Sequence, residues 1–175
     1  GKVGQNRDNQ GLSEYSIAAS ATAIYQGDPV EMLATGTIGV AAAGDTLLMG
    51  PLTGVFYTDA STSKPTFANH LNASNTATDI VGFVSDDPYE RFEVQADGAT
   101  AAADVGLNAD IVYAAGSSPD YVSKVELDTS DQKTGTAQLR IMGISKDPSN
   151  NTAGSANVNL VVMINEHFLK GTAGI

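Results

Sequence analysis

The stretch "VGFVSDDPYERFEVQADG", residues 81–98, decides the fold. Ile80, Gly82 and Val84 alternate with Val81 and Phe83, so both faces are apolar and the segment predicts a buried strand. Further on, Tyr89, Arg91, Glu93 and Gln95 fall on one face of an extended chain, and Glu90, Phe92, Val94 and Ala96 on the other. Arg91 and Glu93 are then same-face neighbours able to pair at the surface, an interaction worth roughly 0–1 kcal/mol. Between the two runs, Asp86-Asp87-Pro88 has turn chemistry: Asp accepts from backbone N–H groups and Pro fixes φ. Asp97-Gly98 closes the second run in the same way. A Ca²⁺ site needs oxygen ligands converging from about six positions, and no D-x-[DN]-x-[DN]-G loop occurs in the chain. The stretch therefore reads as a hairpin with an acidic turn, not as a metal or proton-transfer site.

The same grammar extends outward. "EYSI", "AIYQ", "IVYAA", "YVSKVEL", "AQLRIMGIS" and "NVNLVVMIN" are strand-length runs bounded by turn residues. "GDPV" at 27–30 is a turn, "VEMLATGTIGVAAAGD" is a hairpin-like pair broken at Gly36, and "TLLMGPLTGVFYT" is a longer extended segment interrupted at Gly50-Pro51. Residues 59–77 form a polar loop around a short strand at Phe67, and "KDPSNNTAGSA" is another loop. One helical turn is expected in "ATAAADVGLNAD", with Thr100 as N-cap and Gly106 as its stop. The expected fold is all-β: a compact β-sandwich or barrel of about ten short strands. Residues 1–13, "GKVGQNRDNQGLS", have no period of either kind and are expected to be an extended N-terminal arm, with residues 14–175 a single β domain.

Composition agrees and excludes partners. Aromatic residues are 6% with no Trp, and Asp, the turn carboxylate, outnumbers Glu. The net charge of −11 with only nine Lys and Arg would repel a nucleic-acid backbone. With no Cys there is neither a disulfide nor a thiolate metal site. No apolar run is long enough for a spanning helix, and no signal-peptide pattern is present. A first residue Gly1 in place of Met points to processing or trimming.

Candidate catalytic strings dissolve on inspection. "STSK" at 61–64 with "KTG" at 133–135 matches penicillin-binding enzymes, but that chemistry needs Ser61 and Lys64 on one helical turn, and Pro65 opposes a helix there. His70 and His167 are the only imidazoles, expected in an exposed loop and in the closing strand, and a zinc site needs three or four converging ligands. No G-x-S-x-G elbow supports a Ser-His-Asp triad. Asp128 with Asp131, and Asp147 with Asn150 and Asn151, read as turn caps. The chain is expected to be no enzyme, with no catalytic, cofactor-binding or metal-binding residues.

Several strings in succession, however, resemble a family of bacteriophage capsid decoration (cement) proteins of tailed, cyanophage-like viruses. They are "EYSIAASATAIYQGDPVEM", "LTGVFYTDA", "DIVGFVSDDPYERFEVQADG", "DVGLNADIV", "TGTAQLRIMGI" and "VNLVVMINEHF", which together run from Glu14 to Phe168. The resemblance implies a virion protein on the outer surface of an icosahedral head, a homotrimer bound to a major capsid protein of HK97-type fold. The family carries over no catalytic residue, and no cofactor, nucleic-acid or membrane partner is expected. The arm adds a partner-binding expectation: Lys2, Val3, Arg7 and Leu12 give a slightly basic segment that would reach from an acidic body to a neighbouring subunit. At about 3.3 Å per residue it is long enough to do so. A phage-fibre or carbohydrate-binding β module is the alternative.

Overall fold

The computed structural model describes residues 11–171. The protein is all-β, with 40% of residues in strands and 6% in short helical turns. Among the described residues no helix is long and apolar enough to cross a membrane.

Val81–Ser85 is strand β6 and Arg91–Gln95 is strand β7, but the two do not pair, so the stretch is not a hairpin. The reason lies in β6, whose two edges are already taken. On one edge β6 pairs antiparallel with β1 (Leu12–Ser16), and on the other with β4 (Leu48–Thr58). No edge remains for β7, which crosses to a second sheet and pairs with β12 (Asn159–Ile164). Residues 86–90 still turn as expected: Asp87 Oδ1 accepts from Tyr89 N at 2.9 Å, and Glu90 N donates to the Asp87 carbonyl. The turn joins two sheets, not two neighbouring strands.

The first sheet has the order β1-β6-β4-β2-β3, where β2 is Pro29–Met32 and β3 Ile38–Val40, and β5 (Pro65–Ala68) pairs with the far end of β4. The second has the order β7-β12-β11-β8, with β8 Asn108–Ala109 and β11 Leu139–Ile144. A two-stranded ribbon of β9 (Ile111–Val112) and β10 (Glu126–Leu127) completes twelve strands among the described residues. The expected hairpin around Gly36 is β2–β3, with Gly36 at φ +76°. The interruption expected at Gly50-Pro51 is a register shift within β4, placed where Gly50 (φ +144°) lies against the Ser85 carbonyl.

Two further expectations shift. The arm is shorter than residues 1–13, because Leu12 and Ser13 already face Ser85 and Val84 as the first residues of β1. The helical turn forms at Ala102–Asp104, but its start is held by Asp104 Oδ2, which accepts from Ala101 N at 2.7 Å. Thr100 is buried instead, its Oγ1 accepting from Gln132 Nε2.

Each sheet has its own core. Ile17, Ile24, Val30, Met49, Leu52 and Val84 lead the first; Leu48, Ile111, Leu127, Ile141, Leu160 and Val162 lead the second. Strand alternation divides Leu48 from Met49, so one strand feeds both cores and couples them. Gln138, fully buried, makes a polar tie between the halves. Its Nε2 donates to the carbonyls of Ala42 (2.7 Å) and Asp45 (3.0 Å), and its Oε1 accepts from Ile111 N (3.0 Å).

Candidate functional site

A cleft of about 820 Å³ lies between the two halves beside β7. Leu48, Ile111, Leu139, Val162 and Ile164 lie at its apolar base. One wall is Phe92–Gln95 of β7, the second is Val122–Glu126, and Gly27, Pro29, Gly50 and Pro51 come from the first half.

The two strand-like walls form a wedge. At its closed end Asp97 N donates to the Leu127 carbonyl at 3.0 Å, and Ala96 bridges Leu127 in parallel. From there residues 122–126 peel away from β7, drawn to the other half by Ser123 N donating to the Gln26 carbonyl at 2.8 Å and by a Gln26–Val122 bridge. The register fixes which main-chain groups line the opening. Ala96 N bonds the Val158 carbonyl, so in this antiparallel pair the even residues Phe92 and Val94 bond β12. The N–H and C=O groups of Arg91 and Glu93, and the N–H of Gln95, point the other way, and no backbone partner meets them among the described residues. Side chains divide as the sequence predicts, with Phe92 and Val94 packed on the core and Arg91, Glu93 and Gln95 exposed. Glu93 does not depend on Arg91: Ser145 Oγ and Asn159 Nδ2 each donate to its carboxylate at 3.0 Å.

Asp28 stands beside the cleft between Gly27 and Pro29. It is fully buried; Oδ2 accepts from Tyr25 N at 2.9 Å, while Oδ1 makes no well-formed hydrogen bond. Burial pushes its carboxyl up, against the opposing pull of the Ser123 hydroxyl, the Tyr25 N–H and the Tyr113 hydroxyl. The sequence reading placed Asp28 in a turn; the hydroxyls that reach its carboxylate, Ser123 and Tyr113, come from roughly ninety residues away and left no local sign.

The acidic turn is only half a surface feature. Asp86 is 1% exposed and accepts from Tyr15 Oη at 2.6 Å, which fastens the crossover to β1. His167 lies just past β12, not within it, and is 2% exposed. Its Nδ1 accepts from Leu169 N at 3.0 Å and caps the Phe168–Lys170 turn, so the neutral ring carries its proton on Nε2. Burial pushes the imidazole down, with a lesser opposing pull from the Met49 backbone. His70 belongs to another neighbourhood: its ring lies flat on Tyr121 at 3.8 Å and 3°, with Tyr25 6.1 Å from Tyr121.

Several other aspartates are occupied by neighbouring turns and side chains. Asp59 Oδ1 accepts from the backbone and hydroxyls of Ser61 and Thr62, which lowers its carboxyl to about 2. Ser61 is thus a donor to Asp59 in an exposed turn, and Ser63, at φ +56°, separates it from Lys64. Lys133 pairs with Asp131 at 2.6 Å and Asp110 at 3.3 Å. Asp128 and Asp147 each accept from the backbone and hydroxyl of the Ser two residues on. Among the described residues no group of three or more His, Cys, Asp and Glu is placed to hold a metal ion. Of the arm residues expected to bind a partner, Leu12 lies in β1, and Lys2, Val3 and Arg7 fall outside the described residues. No protein-family model, curated protein or solved structure matches the chain.

Proposed function

We propose that the chain is a structural virion protein that binds the outer surface of an icosahedral phage head and stabilises the major capsid lattice. The observation that carries this reading is where the resembling strings fall. Each contributes buried residues to the cores: Ile24 and Val30, then Leu52 and Val55, to the first; Val84 to the first and Ala96 to the second; and Ala109 and Ile111, Leu139 and Ile141, Leu160 and Val162 to the second. The likeness to decoration proteins is thus carried by the residues that specify the body, and it extends through that body from Glu14 to Phe168.

The chemistry supports the same reading. A chain of net charge −11 is suited to an exterior that must not adhere to packed DNA. The carboxylates that looked like site chemistry serve as turn caps and crossover ties. Cementing requires buried surface across lattice joints and no reaction: a protein that binds the assembled shell, and not free subunits, stabilises that shell by mass action. The partner is a major capsid protein of HK97-type fold, and the protein acts as a homotrimer on the outer capsid surface.

The test is reconstitution. Purified protein is mixed with expanded, undecorated heads, and bound copies are counted by mass spectrometry of sedimented particles. Saturation at hundreds of copies per head, with a raised temperature of DNA release, is the expected result. A few copies per particle, confined to the tail or fibres, would instead favour the fibre or glycan-binding alternative.

A further inference from the structure

We propose that the open edge of β7, with the apolar cleft beside it, is a strand-docking site. Its occupant is an extended segment of another protein chain, apolar at alternate positions and carrying Lys or Arg opposite Glu93. Under the decoration reading, on which the identity of the donor rests, that segment belongs to the shell subunit.

Three observations converge. The first is the row of main-chain groups at Arg91, Glu93 and Gln95, turned from β12 into the opening. A small apolar molecule has no use for such a row, whereas an added strand pairs with it. The second is the wedge itself, which at Ala96–Leu127 already holds a strand on this edge and widens where residues 122–126 are pulled away. An incoming strand continues an edge that is already begun. The third is chemistry across the strand. Its inward side chains, two residues apart, would rest on Leu48, Val125 and Ile164, and its outward ones beside Glu93. Two neutral donors fix that carboxylate in place without neutralising it, so a cationic side chain is the complement. The chain's own residues 1–10 are a poor occupant: Gly, Asn, Asp and Gln dominate them, with Val3 the one sizeable apolar side chain.

The test uses the full chain and a synthetic peptide of about ten residues alternating Val and Thr, with one outward Lys and one Trp. The chain has no Trp, so indole fluorescence reports the peptide alone. On binding, the amides of Arg91, Glu93 and Gln95 are expected to exchange at least about tenfold more slowly, while those of Phe92 and Val94, already bonded to β12, stay unchanged. N-methylation of the edge-facing positions, Lys→Glu in the peptide, or Val122→Lys in the cleft wall is expected to weaken binding about tenfold or more. Equal binding by the N-methylated peptide overturns the proposal, since the cleft would then be only an apolar sink. So does an unchanged Glu93 amide. If that amide is already slow in the free full chain and becomes fast when residues 1–10 are removed, the chain's own arm is the occupant and the proposal also fails. On decorated heads, a fast Glu93 amide removes the docking site and leaves decoration standing. A protein that binds no head removes the decoration reading, while the peptide result still decides the site.

Discussion

Replacing Gln138 by Leu tests whether one amide ties the two halves together. Leu has nearly the same size, so no large void opens, and the loss is confined to three hydrogen bonds. Ile111 is 1% exposed, so its N–H is left without a partner or water, at a cost of about 1–3 kcal/mol. The carbonyls of Ala42 and Asp45 lie in a turn that solvent reaches, so water replaces the amide and each loses nearer to about 0.5 kcal/mol. Added apolar burial of the Leu returns about 1 kcal/mol. The net destabilisation is about 2 kcal/mol, which for a chain of this length lowers Tm by roughly 4–8 °C. Calorimetry with parallel urea unfolding, followed by tyrosine fluorescence, measures it. Gln138→Glu is the diagnostic companion. It keeps an acceptor for Ile111 but sets a carboxylate against two carbonyls, so its folded-state pKa rises. Its stability is then best at low pH, and falls as pH climbs through the unfolded value of about 4.3 toward the raised folded one. A Gln138→Leu protein within about 0.5 kcal/mol of the parent would refute the tie.

Other outcomes follow from single sites. Gly50→Ala is expected to cost about 3 kcal/mol or more by urea unfolding, because its Cβ would sit 1.9 Å from the Ser85 carbonyl oxygen at φ +144°. Asp28, its carboxyl raised by burial, withdraws stability as pH rises from about 3.9 through the folded value. Asp28→Asn keeps an acceptor for Tyr25 N and should abolish that part of the slope, with equal or higher stability at pH 7. His167 acts in the opposite direction: with its imidazole lowered, the protein loses stability as pH falls below about 6.5 toward the folded value, and His167→Asn should remove that loss from the pH–Tm profile. Removing residues 1–10 should leave Tm nearly unchanged while lowering occupancy on heads. Extending the deletion through Ser13 strips two rungs opposite Ser85 and Val84, and should lower Tm as well.

Strand positions were legible because period-two alternation and Gly, Pro and Asp punctuation are local signals. β6, β7 and β11 lie inside the expected runs "DIVGFVS", "YERFEVQA" and "AQLRIMGIS", each shorter than the run, whereas "AIYQ" makes only isolated bridges at Ile24 and Gln26. Pairing is another matter. The edge that β6 offers to β7 is removed by Tyr15 and its neighbours in β1, more than sixty residues upstream, and no local pattern records that competition. Gln138 was invisible for a related reason. A lone Gln in an apolar strand resembles a solvent-facing polar residue until Ala42, Asp45 and Ile111 are brought to it.

The crossover matters more than the two aspartates that first drew attention to it. Had residues 81–98 formed a hairpin, β7 would have extended the first sheet, and its outward main-chain groups would have faced solvent on a plain edge. Sent instead across to β12, β7 brings Phe92 and Val94 to the second core and leaves Glu93 facing an opening with an apolar base. Asp86 secures that path by accepting from Tyr15 while buried, so the acidic pair is structural on one side and a solvated turn cap on the other. The carboxylates of Asp86 and Asp87 hold the crossover in place. They fix the route by which one strand reaches the other sheet, and that route sets the edge of β7 beside the cleft proposed above as a strand-docking site.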